Sequence, residues 1–246
     1  LSAPENLASL VAVAGLAKRF GKTMAVRDVS ISVRRGDLVG LVGANGGGKT
    51  TTLRMIAGFL RADAGSGTLF GGDLFGPRQA RIGRIGYMSQ RLALYPDLSV
   101  RENLHFRARA HGLAEPTAAI AAAVDRYRLS GVIDKRVSTL SGGWARRAQF
   151  VATVLHAPPL LLLDEPTAGL DVATRTDIWN WFDDLAQGGC GIVVSTHDLG
   201  EAERCDTIVP FHEGRAYPAD TPANFIMTQG APSLEHAILS LARAGC

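Results

Sequence analysis

"GANGGGKTT", Gly43 to Thr51, puts four glycines into nine residues. Glycine loses more backbone freedom on folding than any other residue, so such a run weakens a fold unless it does what a side chain would prevent. Its flanks say what that is. Upstream, "GDLVGLV" (Gly36 to Val42) reads as a buried strand. Downstream, "TTLRMIAGFL" carries Leu53, Ile56, Ala57 and Leu60 on one helical face. A bare loop between a strand and a helix collects backbone N–H groups around an anion, and the positive end of the helix points at the same spot.

Gly43-x4-Gly48-Lys49-Thr50 fits the P-loop pattern, whose ligand is a nucleotide triphosphate. In that reading Asn45, Gly46, Gly47 and Gly48 wrap the phosphates. Lys49 reaches the β and γ phosphates, Thr50 turns its hydroxyl to Mg²⁺, and Thr51 lies near the α phosphate. The metal needs a carboxylate at the end of a neighbouring strand. "PLLLLDE" (Pro159 to Glu165) is a continuous apolar run of the kind found in central parallel strands, and Asp164 closes it. Glu165 follows; strand alternation turns it differently from Asp164, towards the water that attacks the γ phosphate.

Working outward, "VSISV" (Val29 to Val33) alternates as a half-buried strand does and pairs with "LVAVAGL" in an antiparallel start. From Gln90 the pattern turns helical. Ser99 and Glu102 form a capping box before "NLHFRARA", and "TAAIAAAVDRY" is alanine-rich. Between Arg78 and Arg109 seven arginines face two acids, which suits either a solvated face or a docking surface. Beyond Ser141, helices and strands alternate again: Ile178, Trp179, Phe182 and Leu185 make a core stripe, and "CGIVVSTHD" a buried strand. "YPADTPANF" reads as turn, and "PSLEHAILSLARA" as a terminal helix.

The fold class is therefore α/β: a P-loop core with a mostly parallel central sheet, an N-terminal antiparallel β-subdomain and an inserted α-helical subdomain. Residues 1–89 and 146–220 form the core, 90–145 the helical lobe and 221–246 the tail. The net charge of +3 on 246 residues gives no footprint for nucleic acid. Cys190, Cys205 and Cys246 lack metal-ligand spacing and fit a reducing, cytosolic setting. No apolar run approaches the roughly 18–20 residues of a membrane span, and Glu5 and Asn6 do not suit a signal peptide.

"LSGGW" (Leu140 to Trp144) precedes Asp164 by 23 residues, counted from Ser141. Ser141 is placed to cap the helix "GWARRAQF", while Gly142 and Gly143 leave its N-terminus bare for a second phosphate. With "GANGGGKT", "YMSQ", "LSGG", "LLLLDEPTAGLD" and "STHD" in this order, the chain resembles the nucleotide-binding subunits of ATP-binding-cassette (ABC) transporters. The resemblance implies that Gln90 links Mg²⁺ and the attacking water to the helical lobe, that Asp171 speaks across a dimer, and that His197 contacts the γ phosphate and holds Glu165. It places Phe20 where an aromatic stacks on adenine; the alternative is a plain core phenylalanine. Two departures stand out: Trp144 replaces the usual signature glutamine, and Ala44 and Gly47 replace the commoner proline and alanine.

The resemblance further implies a head-to-tail homodimer, or a heterodimer with another cassette. Each ATP then lies between one P-loop and the partner's Ser141, Gly142 and Gly143. It also implies an integral membrane permease as partner and a place on the cytoplasmic face of the cell membrane. "RLALYPDLSVREN" is expected to grip that permease, with Leu94 and Tyr95 as apolar anchor. "YMSQRLALYPDLSVRENL" and "STHDLGEAERCD" are similar to export-type cassettes. A soluble ABC protein without transport, or a weakly hydrolysing regulatory module, are the competing readings.

Overall fold

A computed structural model describes residues 9–77, 81 and 83–244. The first eight residues, Arg78 of the arginine-rich stretch and Cys246 lie outside the described residues. β1 (Ser9–Phe20) and β2 (Thr23–Arg34) pair antiparallel, as the alternation predicts: Val26, Val29, Ile31 and Val33 are buried between exposed neighbours. β3 (Leu38–Val42) leads into the glycine loop and α1 (Lys49–Ile56). α1 ends earlier than the stripe to Leu60 suggests, because Gly58 turns left-handed at φ 76°. β4 (Ala64–Leu69) and β5 (Gly72–Asp73) extend the antiparallel edge, and β6 (Ile85–Met88) rejoins the centre.

The helical lobe follows with α2 (Val100–Ala110) and α3 (Pro116–Arg126). Ser99 and Glu102 form the expected capping box, worth about 1 kcal/mol to the helix start. α4 (Gly142–Val154) leads back to β7 (Leu160–Asp164), so the boundary drawn at 145/146 falls inside a helix. Tyr127 of the lobe meets Phe150 edge-on at 5.7 Å and Trp181 at 5.1 Å, tying lobe to core. Then come α5 (Val172–Gln187), β8 (Gly191–Thr196), α6 (Leu199–Ala202), β9 (Thr207–His212) and β10 (Arg215–Ala216). The tail holds α7 (Pro222–Thr228) and α8 (Leu234–Ala244). α7 corrects the reading of "YPADTPANF" as turn. Thr221 caps it by accepting from the Asn224 N–H, and Pro222 occupies the first turn, where its missing N–H costs nothing.

Among the described residues the strands form one ten-stranded sheet, ordered β5-β4-β1-β2-β10-β9-β3-β8-β7-β6. From β9 to β6 every pairing is parallel. The central strands β3 and β7 are buried along their whole length, hence the apolar runs "LVGLV" and "LLLL". Leu161 and Leu163 pack with Phe150 and Trp179 on one side; Leu160 and Leu162 pack with Leu53 and Ile56 on the other. Parallel strands bring all their carboxyl ends to one edge, and there the loops of interest meet.

Candidate nucleotide site

Sheet register assembles the site. Val42 pairs with Thr196, Asp164 with Ser195 and Met88 with Leu163. The glycine loop, the two carboxylates, His197 and Gln90 thus leave the sheet at the same level. A cleft of about 330 Å³ opens there, lined by residues 45–51, Ala25, Gln90 and Glu165, with Asp164 and His197 behind it as hydrogen-bond partners of Thr50 and Glu165.

Two glycines show why the loop tolerates no side chain. A Cβ on Gly43, at φ 150°, would lie 2.2 Å from the Phe211 carbonyl oxygen. One on Gly48, at φ 106°, would lie 2.8 Å from that of Ala25. Lys49 is buried, and its Nζ donates to the carbonyls of Gly43 at 2.6 Å and Ala44 at 3.0 Å. It also stands 3.6 Å from Glu165 Oε1. Burial pulls its pKa down, and the Glu165 and Asp164 carboxylates pull it back up.

Thr50 Oγ1 donates to Asp164 Oδ1 at 2.7 Å, and Ser195 Oγ donates to the same oxygen at 2.8 Å. Glu165 Oε2 lies 2.7 Å from His197 Nδ1, while Oε1 is buried without a hydrogen bond. A hydroxyl and a carboxylate this close, beside an under-satisfied carboxylate oxygen, make the hard oxygen set that suits Mg²⁺. Glu165 and Asp164 engage different partners, but not through strand alternation. β7 stops at Asp164, and Glu165 is left-handed at φ 48°. That conformation costs a non-glycine residue about 1–2 kcal/mol and is pinned on both sides. The Glu165 N–H donates to Ser195 Oγ at 3.0 Å, and the carbonyl accepts from Arg146 Nη2 at 2.6 Å.

The remaining expected residues fall in three places. Gln90 is exposed and borders the cleft. Phe20 ends β1 and is 51% exposed, which removes the plain-core alternative. Ser141, Gly142, Gly143 and Asp171 are absent from the cleft lining. Ser141 takes the N-cap position of α4, yet its side chain makes no capping bond, contrary to expectation. The first turn of α4 is left open instead. Asp171 caps α5, accepting from the Thr174 N–H at 2.9 Å. Trp144 is half-buried with the Arg147 guanidinium 5.0 Å above its ring, so it packs inward while Ser141 and Gly142 stay exposed. Leu94 is buried and cannot serve as a surface anchor. The exposed apolar residues nearby are Leu92, Tyr95 and Phe106, with Tyr95 and Phe106 edge-to-face at 5.0 Å. Part of the arginine-rich stretch is engaged within the chain: Arg101 with Asp134, and Arg107 with the Ala93 carbonyl.

Sequence reading missed Ser195 and Arg146. The Arg146 guanidinium is buried, with Nε donating to the Pro166 carbonyl at 2.7 Å. Its Nη1 donates to the carbonyls of Ser89 and Gln90, both at 2.9 Å, and to Gln149 Oε1 at 3.0 Å. Burial lowers its pKa to about 10, against the pull of Asp164 and Glu165, so it stays charged at neutral pH. An arginine on an otherwise ordinary helix carries no sequence signal of such a role; the only hint was its place just after "LSGG".

A P-loop between a parallel strand and a helix, with a strand-end carboxylate facing it, defines a nucleotide-binding α/β protein of the P-loop class. The family profile described as ABC transporter matches residues 26–168, and a shorter match to a profile described as "AAA domain, putative AbiEii toxin, Type IV TA system" covers residues 137–203. The chain belongs to the ABC transporter family. It is 32% identical over 234 residues to a probable multidrug ABC transporter ATP-binding protein of Escherichia coli (strain K12), covering 92% of this chain and 40% of that relative. It is 38% identical over 220 residues to the Nod factor export ATP-binding protein I of Ralstonia nicotianae (strain ATCC BAA-1114 / GMI1000), covering 88% and 68%. A solved ATP binding subunit of an ABC transporter superposes with a TM-score of 0.86 at 29% identity, covering 95% and 99%. The chain thus spans well under half the length of the first of these relatives. No helix among the described residues is long and apolar enough to cross a membrane.

Proposed function

We propose that this chain binds and hydrolyses ATP as the motor subunit of an exporter. The observation that carries the reading is the Glu165 carboxylate, held between His197 and Lys49 at the mouth of the glycine loop. The loop amides and Lys49 fix the triphosphate. Glu165 takes the proton of the attacking water, and His197 keeps that carboxylate aimed. Thr50, Asp164 and Gln90 would hold Mg²⁺, which supplies charge neutralisation at the β and γ oxygens. Phe20 offers its exposed ring to the adenine. Catalysis is then positioning and charge stabilisation, with little covalent chemistry for the protein to do.

Ser141, Gly142 and Gly143 open an anion site away from this cleft. We assign them to the nucleotide of a second cassette, identical or not, with Asp171 facing the same junction. The division into core, lobe and tail belongs to the same proposal. A steady-state Mg·ATPase assay on the wild-type chain tests the reading. Turnover that rises more steeply than linearly with protein concentration is expected, because two subunits complete each site. Tight binding without turnover would favour the regulatory module instead.

The lobe surface around Leu92, Tyr95 and Phe106 is the proposed seat of a membrane permease, which would place the chain at the cytoplasmic face of the membrane. The roles the relatives are named for, multidrug transport and Nod factor export, support export as the direction. Tyr95→Asp puts a charge into this apolar patch without touching the cleft. We expect basal ATPase within about twofold of wild type, since surface changes away from the site cost little, together with loss of permease co-purification. Retained co-purification would reject the surface.

A further inference from the structure

We infer that Arg146 is a positioning residue that couples the nucleotide seated on α4 to the geometry of Gln90 and Glu165 in its own subunit. The inference rests on the two-cassette reading above. α4 begins at Gly142, one residue after Ser141, and Arg146 lies on its second turn. Any displacement of the α4 N-terminus on receiving a phosphate is therefore carried rigidly to the guanidinium. That guanidinium grips two segments at once. It holds the Ser89 and Gln90 carbonyls at the exit of β6, and the Asp164, Glu165 and Pro166 carbonyls at the exit of β7.

The second grip matters most. Glu165 is left-handed, and its carbonyl is held by Arg146 at 2.6 Å. A peptide held away from its relaxed minimum shifts when its restraint shifts. A small movement of Arg146 therefore turns the carboxylate relative to the attacking water, and moves Gln90 with it. Arginine suits such a buried junction because its planar fork of donors bridges several carbonyls in fixed directions, which a lysine cannot do. Among the described residues no other side chain hydrogen-bonds to both strand exits and to Glu165 itself. The result is a mechanical link from the partner's ATP, through one helix, to the base that hydrolyses this subunit's own ATP.

A double-mutant cycle between Ser141 and Arg146 tests the link. Arg146→Gln should keep the Mg·ATP Kd within about threefold of wild type while kcat falls roughly 10²-fold, the scale of an ångström-level misplacement. Ser141→Ala alone should lower kcat by a smaller factor. In the Arg146→Gln background Ser141→Ala should then lower kcat by a clearly smaller factor than it does in wild type, because only its direct contact with the partner's nucleotide is left to lose. Multiplicative losses in the double variant would overturn the coupling. Parallel loss of ATP affinity, kcat and Tm would do the same by making Arg146 a structural pin. Should Arg146→Gln fail to fold, Arg146→Lys carries the same cycle, and failure of both to fold also overturns it. Wild-type turnover judges the nucleotide reading separately, so additivity in an active wild type counts against the coupling alone.

Discussion

Glu165→Gln is expected to bind Mg·ATP as tightly as wild type while its turnover falls by roughly 10²–10⁴, the usual worth of a positioned general base. Glutamine is the same size as glutamate and keeps an oxygen for His197 Nδ1, now 2.7 Å from Glu165 Oε2. The left-handed backbone at residue 165 depends on main-chain partners, Ser195 and Arg146, which the substitution leaves alone. Only the proton acceptor is lost. Removing the negative charge also relieves repulsion with the γ phosphate, so affinity should hold or rise slightly. Calorimetry with Mg·ATP and a phosphate-release assay measure the two quantities. Turnover within about fivefold of wild type would transfer the base role to another group.

Lys49→Met is expected to lose both functions, with turnover down by about 10³, the upper range for removing one preorganised electrostatic stabiliser. Methionine keeps most of the unbranched stem, one atom shorter, and removes the ammonium. Lys49 is the basic side chain that lines the cleft, so no neighbour there replaces its charge on the β and γ phosphates. It also faces the buried Glu165 carboxylate at 3.6 Å. Stripping the cation from a buried carboxylate is costly, so a lowered Tm is expected alongside weaker binding. The contrast with Glu165→Gln is diagnostic: one variant binds without turning over, the other does neither. ATPase activity within tenfold of wild type in Lys49→Met would mean that the loop amides alone carry the triphosphate.

The helical lobe shows how far local patterns reach. Ser99 with Glu102 announced the start of α2, because a capping box is a contact between residues three apart. The same logic failed at Ser141, whose position was right but whose hydroxyl does not bond into α4. It failed again at Thr221 and Pro222, where a proline-rich string looked like turn and was the first turn of a helix. Leu94 and Tyr95 are adjacent and both large enough to anchor a contact, yet one is 7% exposed and the other 51%. Nothing in their sequence separates them; the packing of α2 does.

The phosphate cradle needed no tertiary structure to be recognised. Its parts, Gly43 to Thr51 with a strand before and a helix after, are neighbours along the chain, and their chemistry is that of backbone amides freed of side chains. The strand-end acids were equally plain, because a fully apolar run broken by two carboxylates has few other uses. Bringing these segments together was the work of the sheet. Parallel register sets Asp164 beside Ser195 and Val42 beside Thr196, residues far apart in sequence. It also bends Glu165 out of its strand and sinks Arg146 under both strand exits. These features depend on hydrogen bonds between distant segments, and such bonds leave no periodicity in the chain that makes them.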